Sequence, residues 1–206
     1  MRKIIAALQV SLDSLIEGPQ GELDWINNWE DEFELMPEID TCILGRGMYP
    51  AYEQYWTSII ADPDGVLELT GRPATKGERD YAEFAARTPH FVVSRTLKAT
   101  RWDVARIVRD LDAIRALKNE AGKNMHLVGG ATLVSSMINA GLVDELRLVV
   151  NPIVLGAGKA LFKDVEQRHA LSLEAVDRLK SGNVRLRYKV EAEAGVLEAR
   201  RRVTNP

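Results

Sequence analysis

The amino-acid sequence predicts an α/β domain of three layers, with helices on both sides of a mixed sheet. Three observations lead there. Short apolar runs at Lys3–Val10, Thr41–Leu44, His90–Ser94 and Met125–Val128 read as core strands, the first nearly continuous in apolar residues as a strand covered on both faces is. Stretches with helical spacing of apolar residues separate them, so strands and helices alternate. In the last third the pattern changes to strands whose apolar residues fall at every second position, as in antiparallel sheet.

The elements follow in order. Lys3–Val10 is the first strand. Leu15–Glu17 is a short strand closed by the turn Gly18-Pro19-Gln20-Gly21. Leu23, Ile26 and Trp29 stand at helical spacing and predict a helix over Glu22–Glu34. Thr41–Leu44 is the second core strand, and Gly45–Trp56 contains a helix bent or interrupted at Pro50. Pro63, Asp64-Gly65, Gly71 and Pro73 make Thr57–Thr75 an extended loop, a lid or an interface element. A helix over Glu78–Arg87, strands over His90–Ser94 and Val104–Val108, and an amphipathic helix over Asp110–Ala121 stopped by Gly122 come next. Met125–Val128 then runs through Gly129-Gly130 into a helix ending at Asn139, before Gly141. Val143–Pro152, Leu171–Ala175 and Val184–Val190 are the late strands, with a turn at Ser181-Gly182-Asn183. Residues 1–190 form one domain, and 191–206, ending in Arg200-Arg201-Arg202, reads as a charged, solvated tail.

Composition excludes several classes of function. Of 206 residues, 46% are hydrophobic and 28% charged, ordinary for a globular protein. With 27 basic and 30 acidic residues the net charge is −3, which gives no electrostatic case for nucleic acid. No apolar run reaches the length of a membrane span. The N-terminal apolar stretch is broken at Gln9 and Asp13 and reads as a strand rather than a signal peptide. The single cysteine, Cys42, forms no intrachain disulfide and reads as a buried strand residue, which fits a reducing, cytoplasmic setting. The three histidines, His90, His126 and His169, show no metal-ligand spacing, and no metal site is expected. Gly156-Ala157-Gly158-Lys159 fails the P-loop pattern, since Ala160 stands where Ser or Thr would bind magnesium, and no Gly-x-Ser-x-Gly elbow is present.

The motifs that carry chemistry lie at strand ends. Gly129-Gly130 joins a strand to a helix without a Cβ in the way. Such a turn either packs the helix close to the sheet or offers the free N–H groups at the helix start to a phosphate. Gly45-Arg46 follows the second core strand, and Ser94-Arg95 the third. In open α/β sheets ligands bind beyond the carboxyl ends of the strands. A guanidinium there either pairs with a phosphate by a forked contact or caps a carboxylate or lies in solvent. A hydroxyl beside it suits a ribose 2′-phosphate. Three such strand ends on one rim point together to a dinucleotide. Asp24, after the Gly18–Gly21 turn, is either an anchor for a polar heterocycle or a carboxylate compensating a helix N-terminus. Asp13 is a weaker candidate with an Asx turn as the alternative.

A sequence-wide resemblance adds to this. The segments Ile4–Asp13, Gly21–Trp25, Leu44–Tyr49, Val92–Leu97, Val128–Leu133, Leu142–Leu146, Pro152–Phe162 and Ser181–Tyr188 resemble, in this order, the reductase domain at the C-terminus of bifunctional riboflavin-biosynthesis deaminase-reductases, which has the dihydrofolate reductase fold. The resemblance covers nearly all of residues 3–190. It implies a mixed, mainly parallel sheet, NADPH as hydride donor, a small nitrogen heterocycle as substrate and commonly a homodimer. It implies that Gly45, Arg46, Ser94, Arg95, Val128, Gly129, Gly130, Ala131 and Thr132 bind the cofactor. Ala7–Val10 and Ile16 would border the nicotinamide and substrate, and Asp24 and Trp25 fall where dihydrofolate reductases carry substrate-pocket residues. The zinc deaminase signature is absent, so a stand-alone reductase domain is expected. Riboflavin-pathway reductases usually carry Glu just before the paired glycines; here that position is Val128, and Ser14 replaces the Gly usual after the Asp of the first turn. The activity implied is that of an NADPH-dependent reductase similar to 5-amino-6-(5-phosphoribosylamino)uracil reductase, with dihydrofolate reduction, or nucleotide binding without turnover, as the alternatives.

Overall fold

Every residue of Ile4–Val10 (β1) is buried, because this strand has neighbours on both edges and cover on both faces. The structure, a computed structural model, describes residues 1–191. The elements after β1 are Leu15–Glu17 (β2), Ile39–Gly45 (β3), Tyr49–Ala61 (α1), Lys76–Arg87 (α2), His90–Val93 (β4), Ala105–Val108 (β5), Leu111–Asn119 (α3), Asn124–Gly129 (β6), Ala131–Asn139 (α4), Glu145–Val150 (β7), Lys159–Ala160 (β8), Leu171–Arg178 (β9) and Val184–Val190 (β10). Eight strands make one sheet in the order β5-β4-β3-β6-β1-β7-β10-β9. The strands from β5 to β7 are parallel and the last two pairings are antiparallel, so the sheet is mixed and mainly parallel. β2 and β8 pair in a small separate sheet.

Side chains of a strand alternate between faces, and β1 divides the core accordingly. Ile4, Ala6, Leu8 and Val10 pack with Ile114 of α3 and with Val134, Met137 and Ile138 of α4. Ile5 and Ala7 pack on the other face with Tyr52, Trp56 and Ile59 of α1 and Tyr81, Ala82 and Ala85 of α2. Helices on both faces give the three layers, and each fully buried Ile or Leu contributes roughly 1.5–3 kcal/mol.

The structure corrects three expectations. Glu22–Glu34 is not a helix but a chain of turns. Two of its amides go to side chains, Glu30 N to Asn28 Oδ1 and Trp29 N to Glu78 Oε1, others close short turns (Ile26 N to Leu23 O, Glu34 N to Asp31 O), and the Asp31 carboxylate accepts from Leu35 N and Met36 N just beyond the segment. Asp and Asn compete with helix in this way. Pro50 does not interrupt a helix either. It sits in the first turn of α1, where its missing N–H has no partner to lose, and α1 continues to Ala61, taking residues 57–61 from the predicted loop. Lys159–Ala160, where the sequence predicts no strand, is strand β8. The tail expected over 191–206 lies outside the described residues except Glu191, whose N–H donates to Ala170 O.

Candidate functional site

Parallel register places the carboxyl ends of four strands side by side. Gly45 pairs with Val93, Val93 with Val108, and Leu44 with Gly129. The residues that follow, Arg46, Ser94-Arg95, Arg109 and Gly130, therefore share one rim. Gly45 lies against the paired glycines: a Cβ on it would stand 3.5 Å from Gly129 O and 3.6 Å from Gly130 N. Gly129 has φ +127°, open to glycine alone, and a Cβ there would meet Leu8 Cδ2 at 3.0 Å. Gly130 is the N-cap of α4, with open space where a Cβ would be. No side chain caps this helix. The first helical turn bond runs from Val134 N to Gly130 O, so the N–H groups of Ala131, Thr132 and Leu133 precede the helical ladder and their partial positive charge faces the rim. Thr132 is exposed, its hydroxyl 3.4 Å from Asp164 Oδ2.

The neighbouring strand ends form a cleft of about 410 Å³ between the β4 and β5 ends and helices α3 and α4, lined among others by Ser94, Arg95, Arg109, Leu111 and Leu133. Ser94 is buried. Its Oγ accepts from Thr96 N at 3.2 Å and Leu97 N at 2.9 Å, which leaves its hydroxyl proton free to donate. Arg109 fixes this turn by donating to Ser94 O at 3.0 Å and Leu97 O at 2.8 Å. Arg46 and Arg95 are exposed, and among the described residues neither forms an ion pair. Asp110 and Asp112 also line the cleft, but Asp110 is engaged as the N-cap of α3, accepting from Ala113 N. Arg109 was not among the residues expected here. Its signal was its position directly after Ile107-Val108, as Arg46 stands after Gly45.

A slot opens next to the paired glycines. β1 and β6 are in register at Ile4↔Met125, Ile5↔His126 and Ala6↔Leu127. Beyond that, β1 stays with β7 as far as Val10↔Val150, while β6 stays with β3 as far as Gly129. The two central strands thus part between Ala7–Val10 and Val128–Gly129. Ala7 is buried, and its side chain packs in the same core as Val128. Val128 has no polar atom to offer, so no carboxylate stands beside the slot at this position. Ile16 packs against the opposite core, on β2, which is tied to β8 by the Lys159–Glu17 ion pair at 2.6 Å. Asp13 holds the loop between β7 and β8 to β1, accepting from Ser11 Oγ, Leu155 N and Gly156 N; the Ser11 hydroxyl, then these amides, hold its carboxyl at about 2. Ser14 has φ +64°, the left-handed conformation that glycine adopts without strain.

The structure does not bring Asp24 to this rim. Asp24 is exposed and lines a second cavity of about 270 Å³ with Trp29, Leu69, Thr70 and Arg72. One wall of that cavity is fixed by Glu78, which is fully buried and accepts from Arg72, Thr75 N, Trp29 N and Tyr55 Oη. Burial alone would raise the Glu78 carboxyl; the hydrogen bonds from Arg72, Thr75 N and Trp29 N outweigh it and bring it down to about 2. Among the described residues no group of His, Cys, Asp and Glu could hold a metal ion.

The model of the RibD C-terminal domain family matches residues 2–185. The chain belongs to this family. It is 37% identical to the Bacillus subtilis (strain 168) protein YyaP, itself uncharacterised, over 191 residues, 91% of this chain and 94% of YyaP. A pyrimidine reductase-like protein from Corynebacterium diphtheriae shares the fold with a TM-score of 0.61 at 17% identity, covering 93% of each chain. The dihydrofolate reductase of Enterococcus faecalis, complexed with NADP(H), does so with a TM-score of 0.55 at 13% identity, over 92% of this chain and 97% of the other. The RibD C-terminal domain family is a reductase-like family of the riboflavin pathway, and the dihydrofolate reductase-like fold expected from the sequence is the one observed.

Proposed function

We propose that the protein is an NADPH-dependent reductase of a small nitrogen heterocycle. The single observation that carries this reading is the shared rim: an uncapped helix N-terminus behind Gly129-Gly130, and, along the same strand ends, exposed guanidinium groups without carboxylate partners. These residues fit the group they would hold. Ala131, Thr132 and Leu133 N–H would bind the pyrophosphate. Ser94 Oγ–H, Arg95, Arg46 and Arg109 would hold the ribose 2′-phosphate, since a forked guanidinium matches a phosphate. Leu111 and Leu133 give the cleft apolar walls for the adenine. The slot between β1 and β6, bordered by Ala7, Val128 and Gly129 and with Ile16 near, would take the nicotinamide.

NADPH supplies the hydride when bound. The chain orients it and keeps water out, which is why the rim and slot carry no acid–base cluster. Val128 in place of the usual Glu favours a heterocycle that needs no carboxylate beside the reacting ring. The substrate is one related to the aminopyrimidines or pteridines, with Asp24 as its anchor in the second cavity. A cytoplasmic, reducing location suits NADPH and the buried Cys42. No helix of the described residues is long and apolar enough to cross a membrane, and the net charge of −3 gives no electrostatic case for nucleic acid. A homodimer is part of this reading. β9 and β10 leave Leu171, Leu173, Val176 and Val184 exposed. Cross-strand pairing puts Leu173 beside Tyr188 and Val176 beside Leu186 on one face, and an uncovered apolar sheet face needs a partner surface.

NADPH oxidation followed at 340 nm with the ribosylaminouracil substrate of the riboflavin pathway and with dihydrofolate tests this reading. Turnover of either names the substrate class. Tight NADPH binding without oxidation by any heterocycle would leave a nucleotide-binding protein instead.

A further inference from the structure

Lys3 O accepts from Met125 N of β6, whereas Ile4 O accepts from Asp144 N and Val10 O from Asn151 N, on the β7 side. Backbone groups of β1 therefore alternate, and those of the odd-numbered residues face β6. Ala7 C=O is the first such carbonyl beyond the last β1–β6 pair, so it points to the place where the strands part. In a continuous parallel ladder a β6 amide would occupy it. Here the donor is a side chain: His126 Nε2 lies 3.2 Å from Ala7 O. A carbonyl only accepts, so Nε2 carries the proton and Nδ1 is the bare acceptor. Nδ1 is buried and has no partner. Around the ring stand Phe33, at 6.2 Å between centroids, and the register neighbours Ile5 and Cys42. Burial, then the nearby Arg147 charge, holds the imidazole neutral, with its pKa at about 4 despite the Ala7 hydrogen bond.

A buried histidine with one orphaned nitrogen is an expensive way to fill a core. What it achieves is local: it satisfies, from the core side, the first strand carbonyl that the parting of β1 and β6 exposes, an oxygen that has a second lone pair. We propose that His126 is a positioning residue for the hydride donor, holding the Ala7 carbonyl in the slot so that it accepts from the carboxamide of a bound nicotinamide. The proposal rests on the cofactor assignment above. Without the His126 donor, Ala7 O is free to be recaptured by a backbone amide of β6, which closes the slot.

The test uses the full chain and two ligands, NADPH and 2′-phospho-ADP-ribose, which has the same phosphates but no nicotinamide. His126→Leu is expected to weaken NADPH about tenfold, the cost of one lost hydrogen bond to a buried group, and to leave the fragment's affinity within about twofold. His126→Gln, whose amide still donates to Ala7, restores most of the NADPH affinity. Equal losses for both ligands, or no loss for either, overturn the proposal. A measurement on the wild type keeps it testable should His126→Leu not fold: the ring ¹⁵N resonances of His126 are expected to shift on saturation with NADPH and to stay in place with the fragment, and no shift with NADPH overturns it. A wild-type protein that binds the fragment but gains nothing from the nicotinamide keeps the phosphate sites and refutes the role of His126. One that binds neither refutes the cofactor assignment itself.

Discussion

Acidification to pH 5 is expected to remove much of the protein's stability through two histidines. His90 and His126 are both buried, at 0% and 4% exposure. His90 Nδ1 donates to Thr88 O at 2.7 Å, which leaves Nε2 to accept from Tyr52 Oη at 3.3 Å. Burial is the main reason that each titrates at about 4 in the folded protein, against about 6.5 in an unfolded chain. A base whose pKa is depressed by folding contributes stability that is complete above the unfolded value and lost as pH falls from about 6.5 towards 4. At pH 5 the unfolded chain binds a proton on each histidine and the folded protein on neither. Linkage then makes the loss about 2 kcal/mol per histidine relative to pH 7.5, about 4 kcal/mol for the pair. Glu78 and Asp13, held at about 2, start to lose their contributions only below about pH 4.5. Asp31, raised by burial, acts in the opposite sense. Of these groups that lose stability on acidification, the imidazoles alone do so chiefly between pH 7.5 and 5. Urea unfolding followed by tryptophan fluorescence at the two pH values measures the difference, and a thermal midpoint is expected to fall by roughly 8–16 °C. His126→Gln should remove about half of the pH dependence. A stability that stays flat from pH 7.5 to 5 would refute the burial of these rings as neutral groups.

The remaining predictions concern the site and its support. Gly130→Ala, which adds a methyl in open space, is expected to change stability by less than about 0.5 kcal/mol yet to weaken NADPH at least tenfold in a fluorescence titration. Gly129→Ala, at φ +127° and against Leu8, should cost about 1–3 kcal/mol in urea unfolding. Val128→Glu places an unpaired carboxylate in the core shared with Ala7 and should destabilise by about 2–4 kcal/mol without NADPH; a rise in turnover of the ribosylaminouracil substrate would identify a riboflavin-type site despite that cost. Leu173→Asp combined with Val176→Asp should convert a dimer into a monomer in sedimentation velocity, with NADPH binding retained.

Much of the fold was legible because the strands of a doubly covered parallel sheet carry their burial in their own composition. Ile4–Val10 and Thr41–Leu44 need no partner to be recognised. The rim was legible for a related reason: ligand-facing groups stand at strand ends, so locating Gly45-Arg46, Ser94-Arg95 and Gly129-Gly130 required only the strands. Arg109 obeys the same rule, directly after Val108, the carboxyl end of the strand predicted over Val104–Val108. The turns over Glu22–Glu34 were not legible. Leu23, Ile26 and Trp29 stand at helical spacing, but what decides the backbone is Asn28 and the distant Glu78 capturing amides of the segment, with Asp31 holding Leu35 N and Met36 N just after it. No local pattern reports a carboxylate 49 residues away. The slot was equally hidden. Which strands lie next to β1, and where β6 leaves it, are properties of the assembled sheet. The second cavity likewise depends on Arg72 and Glu78 folding the 62–75 segment against the turn that bears Asp24.

The most direct test of the central claim compares NADPH and NADH by isothermal titration on the wild type and on Arg95→Ala. The rim of unpaired guanidinium groups predicts that the wild type binds NADPH at least 100-fold more tightly than NADH, two or more charge-assisted hydrogen bonds being worth about 3 kcal/mol or more. Arg95→Ala should narrow that ratio about tenfold or more through loss of NADPH affinity alone. Equal affinity for the two nucleotides, or a ratio unmoved by Arg95→Ala, would contradict the assignment of this rim as the 2′-phosphate site.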